Sequence, residues 1–133
     1  MKILIIAAHP DDEVLGCGGF IKKYSAIHSI DVLIITNGCD TRYDSNMVET
    51  LRNHARSAAK LLGVQNIFFE DLPNQRLDTV PILTVTQTIE KYLELIKPEV
   101  VFSHHKEDLN KDHRVVFEAT ATAVRPLPNQ TVQ

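Results

Sequence analysis

Residues 2–8, KILIIAA, are an apolar run without polar alternation, as expected for a strand covered on both faces of a parallel sheet. Residues 14–28 carry apolar positions at helical spacing, and residues 30–36 (IDVLIIT) give a second buried strand. The polar stretch NGCDTRYDSN is a loop. Residues 47–62 then form an amphipathic helix that Gly63 stops. A short third strand at 66–69, a loop EDLPNQRLDTVP, a third helix at 82–96 closed by Lys97-Pro98 and a fourth strand at 100–103 follow. A loop at 104–112 leads into a last helix from about residue 113 to 124. Strands alternating with helices predict an α/β domain of three layers, Rossmann-like, with a mostly parallel sheet and right-handed crossovers. With no repeat, low-complexity tract or linker, residues 1–133 are expected to form one domain.

In such folds ligands sit beyond the carboxyl ends of the strands. That rim receives His9, Asp11 and Asp12 after the first strand, TNG after the second, and the segment from His104 to His113 after the fourth. Charge narrows the partners: 14 Lys and Arg against 17 Asp and Glu, net −3, provide no basic field for nucleic acid. There is no signal-peptide layout and no apolar run of membrane-spanning length, so a cytoplasmic location is expected. Cys17 and Cys39 are too few for a disulfide framework and neither lies in a CxxC, so both are expected as reduced, partly buried small residues.

A hydrolytic zinc site takes three His or carboxylate ligands and leaves a fourth position for water. His9 and Asp12, three apart across a strand-to-helix turn, can converge on one ion. His113 is the best third ligand, and Asp11, beside the ion without ligating, can accept the proton of the water. Two acids after a strand also make an ordinary helix N-cap, and these residues alone leave both readings open. A receiver-type phosphoacceptor domain would also carry an acidic pair here; Asp71 could serve as its phosphoacceptor, but no lysine is well placed and His9 would go unexplained. GCGGFI lacks the G-x-G-x-x-G spacing of a dinucleotide site, and close packing of the first helix on the sheet accounts better for Gly16, Gly18 and Gly19.

The second cluster, SHHKEDLNKDHRVVFEA, decides between these. AHPDDEVLGCGG together with DLNKDHRVV closely resembles the PIG-L/LmbE-type superfamily of zinc-dependent N-acetylglucosaminyl deacetylases, and the resemblance extends through LPNQRLDTVP to RPLP, residues 2 to about 128. It implies zinc, or another divalent transition metal, on His9, Asp12 and His113, with Asp11 as general base and later acid. Arg52 is the nearest match to a sugar-contacting arginine, and Asn74 and Arg76 in the LPNQRLDTVP loop are further candidate substrate contacts. The substrate is expected to be a small N-acetylated amino sugar or its conjugate.

The departures are specific. Asn110 stands where many members have a histidine that stabilises the oxyanion; an asparagine can donate a hydrogen bond there but supplies no proton. His105 or His104 can take over that part, although packing or strand-end hydrogen bonding would equally account for them. His54 replaces a common glutamate, and His28 reads as an exposed helix-end residue. Family members usually continue for many tens of residues past RPLP, so this chain is expected to represent the N-terminal portion of the family fold, with its open sheet edge allowing a homo-oligomer. The remaining alternatives are a zinc-binding module without catalysis and, further off, the receiver-like domain.

Overall fold

The structure, a computed structural model, describes residues 1–39 and 46–126. The strands are β1 (Lys2–Ala7), β2 (Ser29–Thr36), β3 (Asn66–Leu72) and β4 (Val100–Phe102). The helices are α1 (Asp12–Tyr24), α2 (Met47–Leu62), α3 (Ile82–Ile96) and α4 (Lys111–Ala123), with a 3-10 turn at Leu77–Thr79. All pairings are parallel and the order is β3-β2-β1-β4, so β1 and β2 are central. This arrangement is not the 2-1-3-4-5 order of the receiver architecture, and Asp71 is an exposed partner of Arg52 rather than a pocket acid.

The apolar run of β1 divides by the period-two geometry of a strand. Leu4, Ile6 and Ala8, with Leu33 and Ile35 of β2, meet Val85, Ile89 and Leu93 of α3 and Val116 and Ala119 of α4. Ile3, Ile5 and Ala7, with Ile30, Val32 and Ile34, meet Ile21 of α1 and Ala55 of α2. Both faces of the central strands are therefore covered, which yields the expected three layers. It also explains why neither strand shows polar alternation. Among the described residues no helix is long and apolar enough to cross a membrane.

Several boundaries and residue roles differ from the sequence expectation. Helix α1 begins at Asp12 and ends at Tyr24, where the Ser25 hydroxyl donates to the Leu62 carbonyl at 2.9 Å and draws the chain toward the end of α2. Strand β3 runs on to Leu72 through a register shift against Ile34 and Thr36, as at a β-bulge. Gly16 and Gly19 have open space around them, so close packing on the sheet does not explain them; a side chain at Gly18 would meet only Val14 and Leu62. His28 is half-buried and stacks on Tyr24 instead of standing exposed. Cys17 is half-buried and Cys39 buried, with no disulfide among the described residues. Residues 40–45 of the predicted loop, and Leu127 and Pro128 of RPLP, lie outside the described residues.

One turn at the rim tolerates no substitution. Gly38, just after β2, has φ +76, and a Cβ there would lie 2.7 Å from Pro10 Cγ and 2.9 Å from Pro10 Cδ. An L side chain meets a left-handed backbone and a ring that cannot rotate away. Gly38→Ala should lower the unfolding free energy by about 2 kcal/mol in urea titration; a loss below about 0.5 kcal/mol, the range of a neutral surface change, would mean that the turn relaxes freely.

Candidate metal centre

The chain leaves β1 at Ala7 and turns at once into α1, which places His9 and Asp12 on one lip. The turn is held from within: the His9 backbone N–H donates to Asp12 Oδ2 at 2.9 Å, and the Asp11 N–H donates to Glu13 Oε2 at 3.0 Å. Asp11 is the N-cap of α1, yet its carboxylate makes no capping bond. Asp12 therefore serves the turn, Glu13 does what a capping acid would do, and the exposed Asp11 carboxylate is left for the cavity. Across the rim, Asn110 caps α4 by accepting the Asp112 N–H at 2.9 Å, which sets Asp112 and His113 on the first turn of that helix.

Three ligand-type atoms meet where these lips face each other. His9 Nδ1, Asp12 Oδ2 and His113 Nε2 form a triangle whose three edges are each 3.2 Å. Donors bonded at about 2.0–2.1 Å to a tetrahedral zinc stand about 3.3 Å apart. The residues could hold a metal ion as they stand. The outer nitrogens support the same conclusion: His9 Nε2 donates to Asp112 Oδ2 at 3.0 Å and His113 Nδ1 donates to Asp108 Oδ2 at 3.0 Å. Histidines that bind metal almost always hand their second N–H to a carboxylate or carbonyl, which turns the other nitrogen's lone pair toward the ion.

Asp112 is completely buried and fully engaged. Its Oδ2 accepts from His9 and from the Gln75 N–H at 2.7 Å, and its Oδ1 accepts from the Leu77 N–H at 3.0 Å. His104 lies 3.6 Å from Asp12 Oδ2 but spends its Nε2 lone pair on the Ala8 N–H at 2.9 Å and stacks on His113 with ring centroids 3.9 Å apart. His104, Asp108 and His113 also cluster closely enough to suggest a second ion. Rings stacked at 19° send their in-plane lone pairs side by side, and Asp108 is already the partner of His113, so this group supports the first triangle.

The electrostatics follow from burial and partners. Burial pulls the His9 imidazole down, but the hydrogen bonds to Asp112 and Asp12 outweigh it and push it up to about 9. Asp12 is raised by burial yet held below its ordinary value overall, chiefly by its hydrogen bonds from His9. His104, buried and beside His113, is pushed down to about 4. Burial lifts Glu13 to about 7. Half-buried Asp108 is held low by the His113 hydrogen bond.

The triangle opens on a cavity of about 460 Å³ whose polar lining includes Asp11, Asn74, Gln75 and Asn110, and whose apolar lining includes Pro10, Met47 and Leu51. Of the residues expected at the site, His9, Asp11, Asp12, His113, Asn110 and Asn74 come together here. Three others do not line the cavity. His105 is exposed and accepts the Glu107 N–H at 3.2 Å. Arg52 donates to the Glu70 carbonyl at 3.0 Å and to Asp71 at 2.7 Å, which ties it to the edge of β3. Arg76 is exposed at the N-cap of the 3-10 turn, and His54 is likewise exposed on α2. The roles of Asp108 and Asp112 in holding the two histidines were not assigned from sequence, although an acid next to or five before a candidate ligand is the available signal. Nothing local announces Gln75, Met47 and Leu51, because only the folded rim brings them to His9.

Known proteins agree with this architecture. The family model described as PIG-L, GlcNAc-PI de-N-acetylase, matches residues 4–124. A protein named uncharacterized deacetylase YaiS, from Escherichia coli strain K12, is 27% identical over 136 aligned positions, covering 95% of this chain and 69% of its own. Among solved structures, the N,N'-diacetylchitobiose deacetylase of Pyrococcus horikoshii superposes with a TM-score of 0.84 at 29% identity, covering 98% of this chain and 52% of that one. The conserved protein TT1542 of Thermus thermophilus gives 0.79 at 26% identity, covering 98% and 59%. The chain thus spans between about half and three-fifths of the length of these two solved structures.

Protonation gives the site a test of its own. His9 has a folded pKa of about 9 against its ordinary 6.5, so without a cation its proton stabilises the fold fully below 6.5, and that contribution is lost as pH rises through about 9. A cation on Nδ1 must displace that proton while Nε2 keeps its own on Asp112. Near neutral pH, zinc titrated into the protein should release about one proton per ion from His9, read by calorimetry in buffers of different ionisation enthalpy. Binding without proton release would contradict the assigned His9 contacts.

Proposed function

The chain belongs to the PIG-L family of GlcNAc-PI de-N-acetylases, and from that membership and the rim geometry we propose that it is a metal-dependent hydrolase that removes the acetyl group from an N-acetylglucosamine-type sugar or its conjugate. The observation that carries this is the 3.2 Å triangle of His9, Asp12 and His113 with each histidine anchored on a carboxylate and the Asp11 carboxylate beside it. Two imidazoles and one carboxylate suit zinc, and other divalent transition metals accept the same set. Bound there, the cation would acidify a water molecule and polarise the acetamide carbonyl.

The remaining work falls to the chain. In this reading Asp11, which lines the same cavity as the triangle, takes a proton from the attacking water and returns it to the leaving nitrogen. Asn110 spends its Oδ1 on the cap of α4, so its Nδ2 is the group it offers to the carbonyl oxygen as charge builds there. The water oxygen bonds to the carbonyl carbon, the C–N bond breaks, and the products are acetate and a free amine. Pro10, Met47 and Leu51 give an apolar side suited to the acetyl methyl group and the carbon skeleton, while Asn74 faces the cavity with a carboxamide suited to a hydroxyl. The sugar class draws support from the relative named for diacetylchitobiose. In this scheme His105, Arg52 and Arg76 have no part, because none of them lines the cavity.

The test is acetate release from N-acetylglucosamine and diacetylchitobiose by the zinc-loaded protein. Asp11→Asn should keep its zinc and lose turnover by about 10²–10⁴-fold. Undiminished turnover in Asp11→Asn would overturn the assigned base, and zinc binding without deacetylation by the wild type would favour a binding module instead.

A further inference from the structure

Resting on the deacetylase reading above, we propose that Gln75 is a specificity-determining residue, presenting its carboxamide to the substrate hydroxyl next to the acetamido carbon. Among the described residues two non-glycine positions have positive φ, Gln75 at 55° and Lys97 at 51°. Lys97 is the C-cap of α3, where a left-handed residue ends a helix in the ordinary way. Gln75 caps nothing. It sits between Asn74 and the start of the 3-10 turn, in a conformation that glycine would adopt without steric cost.

The backbone explains why the position is held, and it does not explain why the residue is glutamine. The Gln75 N–H donates to Asp112 Oδ2, the same oxygen that takes His9 Nε2, so the loop is fixed relative to the metal triangle. Any residue other than proline would make that bond. The side chain lines the cavity, and its Nε2 lies 3.4 Å from His9 Nε2. That contact is poor: the hydrogen on His9 Nε2 is committed to the Asp112 carboxylate, which can only accept, so the ring nitrogen has no lone pair for an amide N–H. The neighbouring Asn74 differs, being buried with its oxygen 3.3 Å from the Thr36 hydroxyl.

Gln75 is thus a polar group kept in an unfavourable backbone at the lip of the site, with the long contact to His9 as its carboxamide's recorded hydrogen bond among the described residues. Unfavourable backbone at a functional site points to a use. A carboxamide donates and accepts at once, as does a hydroxyl. Pro10, Met47 and Leu51 in the cavity lining offer no hydrogen bond, so polar discrimination falls to polar side chains such as Gln75. Because Gln75 touches His9, the hydroxyl it meets must lie close to the amide being cut. In a 2-acetamido sugar conjugated through its anomeric carbon, the adjacent free hydroxyl is the one on carbon 3.

The experiment compares kcat/KM for methyl N-acetylglucosaminide and for its 3-deoxy analogue in the wild type, Gln75→Gly and Gln75→Met, all zinc-loaded. The wild type should favour the hydroxylated substrate, and that preference should fall by about 10-fold in both variants. The melting temperature of Gln75→Gly should be unchanged or raised. A preference that stays within about twofold of the wild-type value while deacetylation persists would overturn this inference and leave the proposed function standing. A lowered melting temperature with an unaltered preference would assign Gln75 to the fold and overturn it as well. Failure of the wild type to deacetylate either glycoside would overturn both.

Discussion

The buried carboxylate of Asp112 is the constraint on which the rim depends. It joins three segments: the end of β1 through His9, the loop after β3 through the N–H groups of Gln75 and Leu77, and the first turn of α4, to which it belongs. A fully buried carboxylate is costly unless each oxygen is satisfied. Here three donors satisfy it, so the same requirement that holds the loop in place also orients His9 Nδ1 toward Asp12 and His113. Fold and site are stabilised by one group of hydrogen bonds.

The sheet delivers the rest with little adjustment. Parallel strands that end together put every following loop on one edge, and β3 reaches Leu72 through a register shift against Ile34 and Thr36. The Thr36 hydroxyl donates to the Ala8 carbonyl at 2.8 Å and so ties β2 to β1 at the point where both chains leave the sheet. Gly38 lets the β2 loop pass close beneath Pro10. The result is a cavity lined by both titratable and apolar side chains, built by elements that also carry the core.

Much of this was legible in the sequence where a single physical rule governed. Helices α2 and α3 begin and end where periodicity, Gly63 and Lys97-Pro98 place them, because those signals act locally. The unbroken apolar strands announced a sheet covered on both faces. The rim cluster of His9, Asp11, Asp12, Asn74, Asn110 and His113 was legible because strand ends and ligand-type residues coincide. What the sequence did not reveal depended on contacts between distant segments. Arg52 looked available for a ligand, yet the Glu70 carbonyl and Asp71, eighteen and nineteen residues away, hold it. Helix α1 stops early because Ser25 meets the end of α2, and His105 turns out exposed although its neighbour His104 is drawn in by a strand-end N–H. Adjacent residues in a loop diverge for reasons that no periodicity records.

The central claim is that the chain carries a preformed three-donor metal site at the strand ends. Elemental analysis of protein purified without added metal or chelator, wild type beside His113→Ala, tests it most directly. About one zinc or similar divalent ion per wild-type chain, absent from the variant, is the expected result. A wild type without metal that also fails to take up added zinc, or a variant that keeps its ion, would contradict the account.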